Sequence, residues 1–150
     1  TSAQEYIELV YEDDATVDIA NYALAQGTSR SLFPAGTVLR GRGRVLVVGA
    51  SFDPRGAPRS GDPPVTPGAT VITLRGSVAG RGLRDTGADV TLTDPEGRVL
   101  SFMPGSDPSR PPRAGVGIVR AETDLADEDP AAWSYDPTGG CTPGGEDRVP

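Results

Sequence analysis

The chain of 150 residues carries a net charge of −7, is rich in Gly (20) and Pro (15), and contains no His. All 14 basic residues are Arg, so histidine-dependent triads, imidazole metal ligands and lysine Schiff bases are excluded. The acidic balance disfavours nucleic acid as a partner, because phosphate contacts need a positively charged surface. Abundant turn residues and the lack of a long apolar stretch predict many short strands and no membrane span.

The N-terminal third contains four segments with strand patterns. Residues 4–11 alternate between apolar and polar side chains, which is typical of a half-buried strand. Residues 44–50, RVLVVGA, are continuously apolar, and this predicts a strand buried on both faces. Between them, short strands are predicted within 17–27 and 31–39.

The second half of the chain contains the clearest hairpin. Residues 88–103 consist of two strand-like segments around Asp-Pro-Glu-Gly (94–97), whose residue order is that of a type I turn. Further strands are predicted at 69–76 and 115–121. The acidic segment that follows, up to Trp133, is expected to form one helical turn.

These segments predict a single domain over residues 1–150 and an all-β fold, specifically an immunoglobulin-like antiparallel β-sandwich of about seven short strands. Trp133 is expected to share one core with the apolar faces of the strands. Residues 136–150 consist of turn-forming residues and are predicted to be an irregular tail.

The Pro- and Gly-rich segment 51–68 lies between two predicted strands and is too irregular for either helix or strand. Long loops are uncommon in compact domains, and they are often functional where they occur. The segment is interpreted either as a plain surface excursion or as a binding loop. In the second interpretation, its charged residues Arg55, Arg59 and Asp62 are the candidate binding residues.

Several segments, taken in chain order, resemble the lamin-tail domain, which is an immunoglobulin-like β-sandwich. The similar segments are EYIEL (5–9), VDIANYAL (17–24), LFPAGTVL (32–39), the hairpin segment 82–102 and CTPGGED (141–147). Two features depart from the family pattern. The usual first apolar strand is not seen ahead of residue 5, so either a sheet edge is open or another segment replaces the strand. Loop 51–68 is also longer than in many members.

The resemblance implies a non-catalytic interaction or tethering module of a bacterial surface or secreted protein. The implied location is extracellular or in the cell envelope. The implied partner is a protein or another cell-surface component, and neither a cofactor nor a metal is expected.

Asp85-Thr86-Gly87-Ala88 matches the sequence around the catalytic aspartate of retroviral-type aspartic proteases. Such an enzyme would be a homodimer, because its dyad consists of two carboxylates that share a proton. Here Arg84 stands directly before the aspartate, where those proteases have an apolar residue, and no glycine-rich flap is recognisable. A turn, in which Asp and Gly suit the local backbone, is therefore the favoured interpretation. The protease is the alternative.

Two acidic clusters, at 12–14 and 124–129, suggest a third candidate function, a calcium-stabilised adhesion module. Neither cluster has the spaced carboxylates and central glycine of an EF-hand loop, so solvated surface charge is the simpler interpretation. Arg40, Arg42 and Arg44 alternate with glycine and would form a small basic stripe if the chain were extended. The overall negative charge favours solvated arginines over a nucleic-acid contact.

Overall fold

The computed structural model describes residues 4–56 and 62–146. The chain is 32% strand and 3% helix, which confirms the predicted all-β class. No helix in the described part is long and apolar enough to cross a membrane. The strands are β1 (Tyr6–Val10), β2 (Val17–Asp18), β3 (Ala23–Gln26), β4 (Ser29–Leu32), β5 (Val38–Leu39), β6 (Arg44–Val48), β7 (Thr70–Thr73), β8 (Val90–Thr93), β9 (Val99–Met103), β10 (Ile118–Arg120) and β11 (Trp133–Tyr135).

Two larger sheets organise these strands. One has the order β1-β6-β7 and the other β4-β3-β8-β9, while β2 pairs with β5 and β10 pairs with β11. Every pairing is antiparallel except that of β6 with β7, which is parallel. A turn of 3-10 helix, Pro130–Ala132, precedes β11, with the Asp129 side chain accepting a hydrogen bond at its N-terminus.

The strand count was predicted wrongly, and the parallel pairing of β6 with β7 departs from the predicted antiparallel arrangement. The described residues form eleven short strands instead of about seven, partly because the segments 17–27 and 31–39 each bend and split in two. Parallel neighbours need a crossover connection of a dozen or more residues. The segment between β6 and β7, which contains the long loop 51–68, is long enough to return the chain to the same end of the sheet. The loop thus has a topological role that its composition does not reveal.

Both larger sheets contribute to one hydrophobic core. Its buried members are Ile19, Leu24, Phe33, Leu39, Val45, Val47, Leu74 and Val90. In the β1–β6 register, Ile7 and Leu9 lie opposite Val47 and Val45, so they face the same core. Alternation along β1 therefore places its apolar side chains as predicted.

Trp133 lies apart from this core, contrary to expectation. It is half-buried, and its ring stacks under the guanidinium of Arg120 at 5.2 Å. Its indole N–H donates to the backbone oxygen of Asp127 at 2.8 Å. An indole N–H needs an acceptor when it is buried, and the backbone of the acidic loop supplies one.

Strand β6 is covered on both faces, as its continuous apolar run predicts. Val45 and Val47 belong to the core, while Leu46 and Val48 point to the other face and are also buried. On that second face β1 contributes Glu8, directly opposite Leu46.

The C-terminal tail covers the second face. The Gly144 N–H donates to Oε1 of Glu8, and the Tyr6 side chain hydrogen-bonds the thiol of Cys141. Arg44 Nη1 donates to Oε2 of Glu8 at 2.7 Å, so this largely buried carboxylate is compensated on both oxygens. Burial raises the pKa of the Cys141 thiol, despite the opposing Tyr6 contact.

The hairpin of β8 and β9 turns at Asp94, as its sequence predicts. The Gly97 N–H donates to the Asp94 backbone oxygen at 3.0 Å, and Gly97 adopts φ +85°. The Asp94 carboxylate accepts from the Arg98 N–H at 2.8 Å and from the Arg98 Nε at 2.6 Å. The side chain at the first turn position thereby fixes both ends of the turn.

The core assignment predicts different costs for two leucines. Leu24 is 1% exposed between the sheets, whereas Leu100 on β9 is 53% exposed. Leu24→Ala is expected to lower the free energy of unfolding by about 2–5 kcal/mol, because it removes buried methyl groups and leaves a cavity. Leu100→Ala should change it by less than about 0.5 kcal/mol. Urea denaturation measures both, and equal losses would show that Leu24 is not a core residue.

Candidate functional site

An open cleft of about 410 Å³ surrounds the Asp-Thr-Gly sequence. It lies between the β3–β4 hairpin and the loop that leads from β7 towards β8. Its lining residues are Gln26, Ser29, Arg81, Gly82, Leu83, Arg84, Asp85 and Thr86. The lining is mostly polar and charged, with Leu83 as its apolar member.

Two side chains from distant parts of the sequence hold the loop of the cleft. Gln26 is 3% exposed, and its Oε1 accepts from the Arg84 N–H at 3.1 Å. Its Nε2 donates to the Ala88 oxygen at 3.3 Å, so one buried amide bridges two points of the loop. Glu5 Oε2 accepts from the Leu83 N–H at 2.7 Å. The backbone from residue 83 to residue 88 is therefore anchored, not merely exposed.

The hairpin side of the cleft depends on a glycine. Gln26 pairs with Ser29 across a two-residue turn whose first residue, Gly27, has φ +60°. Glycine suits that position because it adopts positive φ without steric cost. A Cβ on Gly27 would lie 3.5 Å from Nη2 of Arg84, so the guanidinium rests against the hairpin turn.

Arg81 and Arg84 are exposed, and among the described residues neither guanidinium has an ion-pair or hydrogen-bond partner. Six other described arginines form ion pairs, whereas Arg30, Arg40, Arg75 and Arg113 form none among the described residues. Ion pairs join Asp14–Arg42, Glu8–Arg44, Asp53–Arg55, Asp94–Arg98, Asp107–Arg110 and Asp127–Arg120. The cleft thus contains two guanidinium groups without an ion-pair partner among the described residues, together with the negative charge of Asp85.

Asp85 contributes a negative charge to the same cleft. Burial raises the pKa of the nearby Glu5 carboxyl, the Leu83 N–H opposes that shift, and the charge of Asp85 adds to it. The Gly87 N–H donates to the Arg84 oxygen at 2.9 Å, so residues 84–87 form a turn. Gly87 has φ +77° and packs so closely on the Gly105 oxygen that a side chain there would clash. Asp85 lies at an exposed turn.

The candidate binding residues of loop 51–68 are only partly described. Arg55 binds Asp53 through Nε at 2.9 Å and Nη2 at 2.8 Å, and this side-chain hydrogen bond lowers the pKa of Asp53 to about 2. Asp62 is half-buried, and its backbone oxygen lies against Gly56. Arg59 lies outside the described residues. The Asp62 oxygen thus lies against the residue that follows Arg55, and Arg55 already has an acidic partner in Asp53.

The base of this loop is fixed to both ends of the chain. Gln4 donates to the Asp53 oxygen at 3.1 Å and accepts from the Asp53 N–H at 2.9 Å. The Thr66 N–H donates to the Pro143 oxygen at 2.9 Å. The segment is thus integrated with β1 and with the tail at its base.

The first acidic cluster and the arginine stripe meet each other. Asp14 forms an ion pair with Arg42, and both side chains are highly exposed. Arg44, in contrast, is mostly buried and pairs with Glu8. The stripe is therefore divided between a surface pair and an internal pair.

The second acidic cluster holds the free edge of β9. The Asp127 carboxylate accepts from Ser101 Oγ and from the Phe102 N–H, both at 3.0 Å, and it also pairs with Arg120. Burial raises the pKa of Asp127, but these hydrogen bonds and the Arg120 charge outweigh it, so the net pKa is lowered. In the described part of the chain, no group of three or more His, Cys, Asp or Glu side chains is arranged to hold a metal ion.

Asp127 predicts an acid-dependent loss of stability. A carboxyl whose folded pKa is depressed stabilises the fold above its unfolded pKa of about 3.9, and that contribution is lost as the pH falls through the folded pKa. Asp127→Asn should therefore be less stable than the parent at neutral pH, with a difference that shrinks on acidification. Thermal unfolding at several pH values measures it, and Asp124→Asn, an exposed neighbour, is the control. A difference independent of pH would contradict this role.

Comparison of the chain with protein-family models, with curated proteins and with solved structures found no match. The resemblance to lamin-tail domains accordingly rests on the sequence segments alone. The geometry and chemistry of the cleft are the structural basis for assigning a function.

Proposed function

We propose that this chain is a non-catalytic interaction or tethering module of a surface or secreted protein, with the immunoglobulin-like β-sandwich of a lamin-tail domain. Two sheets that share one core support the architecture. The ordered sequence similarity supports the family. The proposed partner is a protein or another component of the cell surface, outside the cytoplasm or in the cell envelope.

The observation that carries the proposal is the cleft. A surface loop, anchored by Gln26 and Glu5, presents the unpaired guanidinium groups of Arg81 and Arg84 to solvent. Binding residues are commonly found on loops that a rigid scaffold positions. Gln26 belongs to β3 and Glu5 directly precedes β1, and these strands belong to different sheets, so the loop is held from both.

The protease alternative has less support from the geometry. An aspartic dyad requires two carboxylates close enough to share one proton. Asp85 lies at an exposed turn, and the charged Arg84 directly precedes it, where such proteases have an apolar residue. Gly87 is engaged in close packing on Gly105, which gives the Asp-Thr-Gly sequence a structural reason to exist.

The calcium alternative also has less support. The Asp127 carboxylate is occupied by the Ser101, Phe102 and Arg120 donors, and Asp129 caps the 3-10 turn. These contacts use the oxygens that a calcium ion would need. The module is therefore proposed to bind its partner without a metal.

An activity assay with one substitution tests the non-catalytic proposal. The parent and Asp85→Asn are incubated with unfolded casein from acidic to neutral pH, and no cleavage is expected from either. Asn retains most of the turn chemistry of Asp, so the stability of the variant should lie within about 1 kcal/mol of the parent. Cleavage by the parent that disappears in Asp85→Asn would make Asp85 a catalytic residue and would overturn the proposal.

A further inference from the structure

We infer that the cleft binds an oxyanion, namely a carboxylate, sulfate or phosphate-ester group of the ligand, between the guanidinium groups of Arg81 and Arg84. The inference names the ligand chemistry of the proposed module and therefore rests on that proposal. It differs from the candidate site of loop 51–68, because the cleft is formed by β3, β4 and the loop after β7.

The arginines of the chain differ in whether they have an acidic partner. In the described part of the chain, the arginines with acidic partners include one that is almost fully buried, Arg110, and one that is highly exposed, Arg55. Among the described residues Arg81 and Arg84 have no such partner, which is also true of Arg30, Arg40, Arg75 and Arg113, but Arg81 and Arg84 line one cleft. Guanidinium groups bind planar oxyanions through two parallel hydrogen bonds, so two unpaired groups in one cleft match that ligand chemistry.

The loop backbone that carries the two arginines is preorganised. The Arg84 N–H donates to the buried Gln26 side chain, and the Leu83 N–H donates to the Glu5 carboxylate. Gly82 adopts φ +86°, and a Cβ there would come within 2.7 Å of Glu5 Oε2. The backbone between the two arginines is thus held in one conformation, and an ordered loop loses less entropy when it binds a ligand.

The other lining residues of the cleft also suit a polar ligand group. The hydroxyl groups of Ser29 and Thr86 are neutral hydrogen-bond donors beside the guanidinium groups. Among the described residues of the lining, Leu83 is the one apolar side chain and none is aromatic, so binding by apolar burial or ring stacking has little basis here. The open shape suits a charged group that projects from a larger molecule.

The charge of Asp85 determines how its substitution should change anion binding. Its carboxylate lines the same cleft, so it repels a bound anion and reduces the positive potential of the two arginines. Neutralising Asp85 is therefore expected to tighten anion binding.

The test follows amide chemical shifts of the folded protein by NMR. The parent is titrated separately with sodium sulfate, inorganic phosphate and sodium glucuronate at constant ionic strength. Arg81→Gln and Arg84→Gln remove one cleft charge each, and Arg75→Gln removes one exposed charge outside the cleft as a matched control. The strongest of the three anions identifies whether a sulfate, a phosphate ester or a carboxylate is the preferred group.

Saturable shifts confined to residues 26–29 and 81–88 are expected in the parent. Each cleft arginine variant should weaken binding about tenfold, which corresponds to about 1.4 kcal/mol. Arg75→Gln should leave the affinity unchanged, and Asp85→Asn should increase it. Absence of saturable shifts with all three anions, or an equal loss in Arg75→Gln, would overturn the inference. With no casein cleavage, that result rejects the oxyanion site alone, whereas Asp85-dependent cleavage rejects the proposed function itself.

Discussion

Burial of β6 on both faces is the constraint on which the rest of the structure depends. Val45 and Val47 require one layer of cover, and Leu46 and Val48 require another. The four-stranded sheet supplies the first layer and the C-terminal tail the second, through contacts at β1. The same arrangement brings Glu8 into an apolar layer, where an uncompensated carboxylate would cost several kcal/mol, so its two ligands, Arg44 and the Gly144 N–H, are part of the solution.

The parallel pairing of β7 with β6 has consequences for the position of the cleft. Parallel entry requires the chain to cross over, and the segment containing loop 51–68 provides that crossover. After β7 the chain leaves the sheet next to the β3–β4 hairpin, where Ser31 Oγ accepts from the Gly80 N–H at 2.6 Å and donates to the Ser77 oxygen at 2.7 Å. The loop that carries Arg81 and Arg84 is thereby placed against Gln26.

Local features of the fold could be predicted from the sequence, whereas its long-range partnerships could not. Alternation in β1, the apolar run of β6 and the turn at Asp94 depend on neighbouring residues, and all three were predicted correctly. The direction of β7 was not, because β7 is largely exposed and lacks the continuous burial that usually marks a parallel strand. The role of Asp127 depends on donors some 25 residues away, and no local spacing indicates them. In the candidate site, the Asp-Thr-Gly sequence drew attention to the loop of the cleft, but only the three-dimensional structure shows that Arg81 and Arg84 have no ion-pair partner among the described residues.

These features favour weak binding whose selectivity comes from the residues that line the cleft. Exposed guanidinium groups stay hydrated, so an oxyanion held between them gains little affinity from charge alone. The net charge of −7 repels long polyanions such as nucleic acids, so the proposed recognition depends on local complementarity at Arg81 and Arg84. A tether that depends on such a site gains strength from repetition, because a second linked contact binds at a high effective concentration.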